Sequence, residues 1–222
     1  MNFNSALVPL WLNGVAISVM LLALSTALYS APWRLIARVG ERQHLFFGAV
    51  LVLVLIWSMS ITTHQEGGLS FHLLLIASVI LLLGLSFGVI AGLLALFIRQ
   101  LIAGGDWTVI GVDALCTVLA PALVPVLAVR VVRCISVAPL FAFTLGASFL
   151  GGAFTVLMAS LMGLLVLNLS QQHALLAAAW DQVALLPLLM FGEGFINGTI
   201  MTALAVFQPG WVRAYREPKP PQ

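Results

Sequence analysis

The chain has 222 residues, of which 62% are hydrophobic and only 7% are charged. A soluble globular domain carries about 25% charged residues. So few charges cannot cover the surface of a water-soluble globule of this size, and we therefore predict that a lipid bilayer surrounds most of the chain. The nine Lys and Arg residues are spread thinly and form no basic patch, which argues against nucleic acid as a partner.

Apolar stretches that are long enough to cross a bilayer recur along the chain, given that one crossing needs about 20 residues. The stretch 70–103 is too long for one ordinary span. Gly84, Ser86 and Gly88 near its middle are suited to a tight turn between two short helices of roughly 15 residues each. We predict an all-α bundle of about seven spans over 1–212, followed by a short cytoplasmic tail at 213–222. The predicted spans lie near 6–31, 45–62, 70–84, 87–103, 109–133, 139–170 and 182–208.

The positive residues predict the orientation, because cytoplasmic loops are enriched in Lys and Arg. With six spans, Arg130 and Arg133 would lie on the opposite side from 34–42. With seven spans, only Arg99 lies near the outer edge, and the other positive residues share one side. These are Arg34, Arg38, Arg42, Arg130, Arg133, Arg213, Arg216 and Lys219. We predict a multi-pass protein of the cell (inner or plasma) membrane, with its N-terminus outside and its C-terminus inside.

Two further patterns concern the surfaces of the spans. Several tryptophans, Trp57 among them, lie at or near predicted span ends, where amphipathic rings prefer the membrane interface. In the first span, Ala23, Ala27 and Ala31 recur every four residues and form a stripe of small residues. The stripe is suited to packing inside the bundle or to docking against a partner membrane subunit.

Asp113 and Glu193 are the acidic residues that we expect inside the membrane, where ionisable groups are costly and are candidates for function. Glu193 lies among residues that let another helix approach closely and hydrogen-bond across the contact. These neighbours are Gly192, Gly194, Asn197, Gly198 and Thr199. Two interpretations are open: a carboxylate in a substrate pathway or gate, and a buried carboxylate, protonated or not, that pins the packing of helices.

His72 is a candidate metal ligand, because it begins the third predicted span at the water boundary and imidazole is a common ligand of divalent transition metals. His64 lies in the preceding loop and could converge on the same place. The alternative is an interfacial histidine bonded to a backbone carbonyl. The chain has no Walker A motif and no serine-hydrolase elbow, so we predict that it is not an enzyme. A separate hypothesis is that the chain is an intramembrane enzyme that uses Asp113 or Glu193.

Several short motifs, taken in order, resemble the CbiM/NikM-type family, the substrate-capturing membrane subunits of energy-coupling factor transporters for cobalt and nickel. The resemblance is to a divergent branch of that family and extends from about Leu10 to Val212. The motifs are Gly-Leu-Ser-Phe-His-Leu-Leu at 68–74, Gly-Gly-Asp-Trp at 104–107, Gly-Val-Asp-Ala-Leu at 111–115, Glu-Gly-Phe-Ile-Asn-Gly-Thr at 193–199 and Pro-Gly-Trp at 209–211.

The resemblance implies a bundle of about seven helices that binds a divalent metal, cobalt or nickel, at its outer face. A partner transmembrane subunit and ATPase subunits would then drive release inward. The family's metal site uses the N-terminal amine, a histidine at position two with its backbone amide, and a later histidine. Met1 and His72 match the first and the last of these, and His64 could substitute for the histidine that Asn2 replaces. Asp113 stands where the family usually has asparagine.

The loss of the histidine at position two also favours an alternative from another class. In this reading the chain is an accessory protein of the membrane that kept the bundle and lost metal binding. It would assist the assembly or maturation of a respiratory or metal-containing membrane complex.

Overall fold

The computed structural model describes residues 7–38, 40–59, 73–134 and 139–215. This part of the chain folds into helices and contains no strand. A 3₁₀ turn, Gln182–Leu185, joins the helices His173–Asp181 and Leu186–Phe207 so that the two run on as one element. The helices are α1 (Leu10–Ser30), α2 (Trp33–Arg38), α3 (Gly40–Ser58), α4 (Ile76–Leu83), α5 (Leu85–Ala103), α6 (Trp107–Arg133), α7 (Leu140–Leu169), α8 (His173–Asp181) and α9 (Leu186–Phe207).

The membrane bundle predicted from the sequence is confirmed. Six helical elements of the described chain are long and apolar enough to cross a bilayer: α1, α3, α5, α6, α7, and α8 with α9. A helix of 19 residues, such as α5, is about 28 Å long and matches the hydrocarbon thickness of about 30 Å. Two short helices remain, α2 and α4, and α4 lies within the predicted span 70–84.

Helix α4 is shorter than predicted, since its eight residues span only about 12 Å, less than half of the hydrocarbon layer. It starts late because Leu75 has a left-handed backbone, with φ 49° and ψ 8°. The turn into α5 is also tighter than predicted: it consists of Gly84 alone, with φ 83°, while Ser86 and Gly88 belong to α5. A Cβ at Gly88 would lie 3.1 Å from the Ile80 Cα, so this glycine lets α4 and α5 pack closely.

The alanine stripe of α1 faces the interior of the bundle. Ala27 and Ala31 are buried in the largest apolar core, and Ala23 packs against its edge. Helix α1 also approaches α6 closely, because a Cβ on Gly111 would lie 2.6 Å from the Ile17 nitrogen. Of the two interpretations of the stripe, the structure supports internal packing.

Three arginines that the sequence assigned to the same side of the membrane meet at one end of the bundle. They come from α3, from the end of α6 and from the segment after α9. Each donates a hydrogen bond to a backbone carbonyl and so ties these elements together. The bonds run from Arg42 Nη2 to Gly210 (2.8 Å), from Arg133 Nη2 to Ala214 (3.4 Å) and from Arg213 Nη1 to Leu83 (3.3 Å).

Candidate functional site

A buried carboxylate holds the backbone at the start of the half-length helix α4. Glu193 is the eighth residue of α9, about 10 Å along that helix, and its side chain is only 1% exposed. Its Oε2 accepts a hydrogen bond from the Leu74 amide at 2.8 Å, and its Oε1 accepts one from the Leu75 amide at 2.6 Å. Backbone amides that are buried away from water need partners, and here a side chain of α9 supplies them.

Asn197 lies one turn further along α9, is fully buried, and completes this cap. Its Oδ1 accepts bonds from the Ser78 amide at 2.9 Å and from the Ser78 Oγ at 2.6 Å. Its Nδ2 donates to Glu193 Oε1 at 2.9 Å, so it orients the carboxylate as well as capping α4. The hydrogen bonding across the helix contact that the sequence predicted for Asn197 is present, whereas Thr199 is exposed.

Trp57 holds the same segment from the opposite direction. Its indole Nε1 donates to the Leu74 carbonyl at 3.2 Å, and the ring is only 1% exposed. Trp57 lies at the end of α3, where the sequence predicted a span end, but its ring faces the interior of the bundle. We call the three residues Trp57, Glu193 and Asn197 the α4 clamp. Within it, Glu193 bonds the Leu74 amide and Trp57 bonds the Leu74 carbonyl, so both polar groups of this backbone unit have side-chain partners.

Two further charged side chains, those of Arg99 and Asp113, are buried in the bundle. Arg99 Nε donates to the Trp57 carbonyl at 3.1 Å. Arg99 lies near the end of α5, and its side chain is only 6% exposed. Asp113 of α6, 2% exposed, attracts the Arg99 guanidinium electrostatically. A π-helical segment, Leu115–Leu119, begins two residues after Asp113, and such segments are frequent at functional sites.

Close packing against α7 fixes the depth of the clamp in the bundle. A Cβ on Gly194 would lie 2.7 Å from the Phe149 carbonyl oxygen, and one on Gly152 would lie 2.8 Å from the Asn197 Cβ. The glycines around Glu193 were expected to allow close approach, and Gly194 does so. Gly192 is different, because nothing lies within 4 Å of a Cβ placed there.

The predicted metal ligands Met1, His64 and His72 lie outside the described residues. Within the described ranges, no group of three or more His, Cys, Asp or Glu side chains is placed to hold a metal ion. His72 precedes Leu74 by two positions in the sequence, so the α4 clamp acts directly on the chain that follows this predicted ligand.

Sequence reasoning named Asp113, Glu193 and Asn197 but missed the parts that Trp57 and Arg99 play. The spacing of four residues between Glu193 and Asn197, which puts both on one helix face, was the signal for the cap. Trp57 and Arg99 lie near the ends of spans, where the sequence pattern indicates an interface residue whether or not the side chain turns inward.

The sequence matches the family CbiM, described as the cobalt uptake substrate-specific transmembrane region, over residues 6–211. The chain belongs to the CbiM family. The match includes every residue of the α4 clamp and extends over all the membrane helices, so the resemblance drawn from short motifs is confirmed. Among the curated proteins with which the sequence was compared, none matches it.

Two solved structures share the fold of this CbiM-family chain. One is described as a truncated transition metal transporter, with a TM-score of 0.69 and 16% sequence identity; the alignment covers 93% of this chain and 99% of the other. The second is described as a transition metal transporter, with a TM-score of 0.68, 16% identity and 93% coverage of each chain. At this identity the likeness concerns the fold.

Proposed function

We propose that this CbiM-family chain is the substrate-capturing membrane subunit of an energy-coupling factor transporter, and that its substrate is a divalent transition metal, cobalt or nickel. The observation that carries the proposal is the family match, which extends over nearly the whole chain. The α4 clamp supports it further, because the buried Glu193 side chain bonds the amides of Leu74 and Leu75. These residues come shortly after His72, which matches the family's later ligand.

The metal would bind at the outer face through the Met1 amine and His72, with His64 in place of the histidine that Asn2 replaces. Amine and imidazole nitrogens suit cobalt and nickel. The metal is the cargo of the protein, so binding must be reversible. Because these nitrogens bind metal only when deprotonated, affinity should fall as the solution is acidified.

Release inward would require a partner transmembrane subunit and ATPase subunits, since the sequence contains no Walker A motif of its own. The chain would lie in the cell membrane with the end that carries Arg42, Arg133 and Arg213 in the cytoplasm. The positive-inside rule supports this orientation, because these arginines come from separate parts of the sequence and meet at one end of the bundle.

Metal titration of the purified chain, without partners, tests the proposal. Co²⁺ or Ni²⁺ should bind with a stoichiometry near one, and His72→Ala should lower the affinity at least tenfold. His173→Ala is the matched control, since His173 is exposed at the start of α8 and should leave the affinity unchanged. Equal affinities of the wild-type and His72→Ala proteins would refute the assignment of His72.

The second candidate function is that of a membrane accessory protein that kept the fold without binding metal, and Asn2 at the position of a ligand favours it. A wild-type protein that elutes as a folded, monodisperse species and takes up neither Co²⁺ nor Ni²⁺ would support this alternative.

A further inference from the structure

We propose that Glu193 and Asn197 are positioning residues for metal capture. Through the amides of Leu74, Leu75 and Ser78 they fix the point from which the chain runs back to His72. This inference rests on the proposed function, and it adds two residues of α9 to a site whose predicted ligands all belong to the first 72 residues.

The covalent chain links the anchor at Leu74 to His72. Two residues of chain reach at most about 7 Å. Because Leu74 is bonded at both its amide and its carbonyl, to Glu193 and Trp57, the region of space open to His72 is limited by this anchor. Release of the anchor would widen that region without removing any metal ligand.

The chemistry of the anchor requires a carboxylate. Both oxygens of Glu193 accept N–H hydrogen bonds: Oε2 from Leu74, and Oε1 from Leu75 and Asn197. A glutamine in this place would turn its NH₂ group toward one of these N–H donors, whichever way the amide were oriented. Glu193→Gln therefore breaks the anchor with almost no change in side-chain volume.

Helix α9, which carries Glu193, is packed tightly against α7. We therefore expect a change at Glu193 to displace the backbone of Leu74 and Leu75 rather than α9 itself. Gly194 and Gly152 place α9 against the backbone of α7 with no room for a methyl group. Metal sites tolerate ligand displacements of only a few tenths of an ångström, and loss of a partner that orients a ligand typically costs 10–100-fold in affinity.

The test compares Glu193→Gln with Thr202→Val in the purified full-length chain, with Co²⁺ as the probe. Thr202 lies on the same helix and makes an interhelical bond to Thr144 Oγ1 at 3.1 Å, so its variant loses a helix contact away from α4. Glu193→Gln should lower Co²⁺ affinity roughly 10–100-fold and alter the visible d–d absorption of the bound ion. Thr202→Val should retain the wild-type affinity and spectrum.

A double variant, Glu193→Gln with Asn197→Asp, adds a rescue. The carboxylate introduced on the second residue can accept from the NH₂ group introduced on the first while still accepting from Ser78. The remaining amide oxygen of the first side chain can accept from Leu74, whereas the Leu75 amide loses its acceptor. We expect a Co²⁺ affinity between those of Glu193→Gln and the wild type, and an affinity no higher than that of Glu193→Gln would contradict the positioning role. If Glu193→Gln does not elute as a folded species, Glu193→Asp, which keeps the charge on a shorter side chain, takes its place.

The outcomes separate this inference from the proposed function. If the wild type binds Co²⁺ and the Glu193 variants bind it equally well with the same spectrum, the positioning role is refuted and the proposed function stands. If the folded wild type binds no metal, both are refuted. A loss at Glu193 that Thr202→Val does not share supports both.

Discussion

Substitution of Gly194 by alanine should push α9 away from α7. The added Cβ would lie 2.7 Å from the Phe149 carbonyl oxygen, a backbone atom that cannot rotate away. Overpacking of this kind typically costs about 1–3 kcal/mol. Gly192→Ala is the matched control, because it lies two residues earlier on the same helix and its Cβ would meet nothing within 4 Å.

Comparing Gly194→Ala with Gly192→Ala isolates the free-energy cost of overpacking. Both changes replace a helical glycine by alanine and so share a propensity gain of up to about 1 kcal/mol, which cancels in the difference. What is left is the overpacking of about 1–3 kcal/mol. At about 2–4 °C per kcal/mol for a chain of this length, Gly194→Ala should melt roughly 2–12 °C below Gly192→Ala.

The assay is thermal unfolding of the two variants in the same detergent. Unfolding is measured as the loss of the monodisperse fraction after heating to each temperature. Since Gly194 adjoins Glu193, the same preparation of Gly194→Ala should also bind Co²⁺ more weakly than Gly192→Ala. Equal melting temperatures would refute the close contact between α9 and α7, and with it the stiffness on which the clamp depends.

Two further substitutions test the clamp and the turn that follows it. Trp57→Phe removes the N–H donor to the Leu74 carbonyl and should cost about 1–3 kcal/mol in the same melting assay. Trp33→Phe, where the ring is 47% exposed, should cost less, and an equal loss would contradict the buried role of Trp57. Gly84→Ala should cost about 1–3 kcal/mol, since its φ of 83° and ψ of 166° suit glycine alone. Gly104→Ala should cost less, since the left-handed helical backbone there has open space around a Cβ, and a reversed order would contradict the geometry of the turn.

The bundle could be predicted from the sequence because its cause is local. Each long span is a run of apolar residues, and the hydrocarbon layer requires helices of about this length. The clustering of Arg42, Arg133 and Arg213 at one end of the bundle could also be predicted, because their positions between the spans assign them to the same side.

The shape of α4 could not be predicted in this way. The stretch 73–83 is apolar throughout except for Ser78, so hydropathy treats its helical and non-helical parts alike. Leucine rarely adopts the left-handed backbone found at Leu75, and no sequence signal marks it. Glu193 was named because a carboxylate in a membrane is unusual, but its partners are backbone amides of Leu74 and Leu75. Every residue except proline carries such an amide, so the pairing has no sequence signature.

The position of α4 depends on a part of the chain that is more than 100 residues away. A helix of eight residues is too short to be stable alone. Its N-terminus is capped by Glu193 and Asn197, and at its C-terminus Arg213 donates to the Leu83 carbonyl at 3.3 Å.

These end groups match the helix dipole, with a carboxylate at the positive end and a guanidinium at the negative end. Both come from α9 or from the segment directly after it. The segment that follows His72 is therefore held in register with α9 at two points. A displacement of α9 would therefore carry both ends of α4 with it.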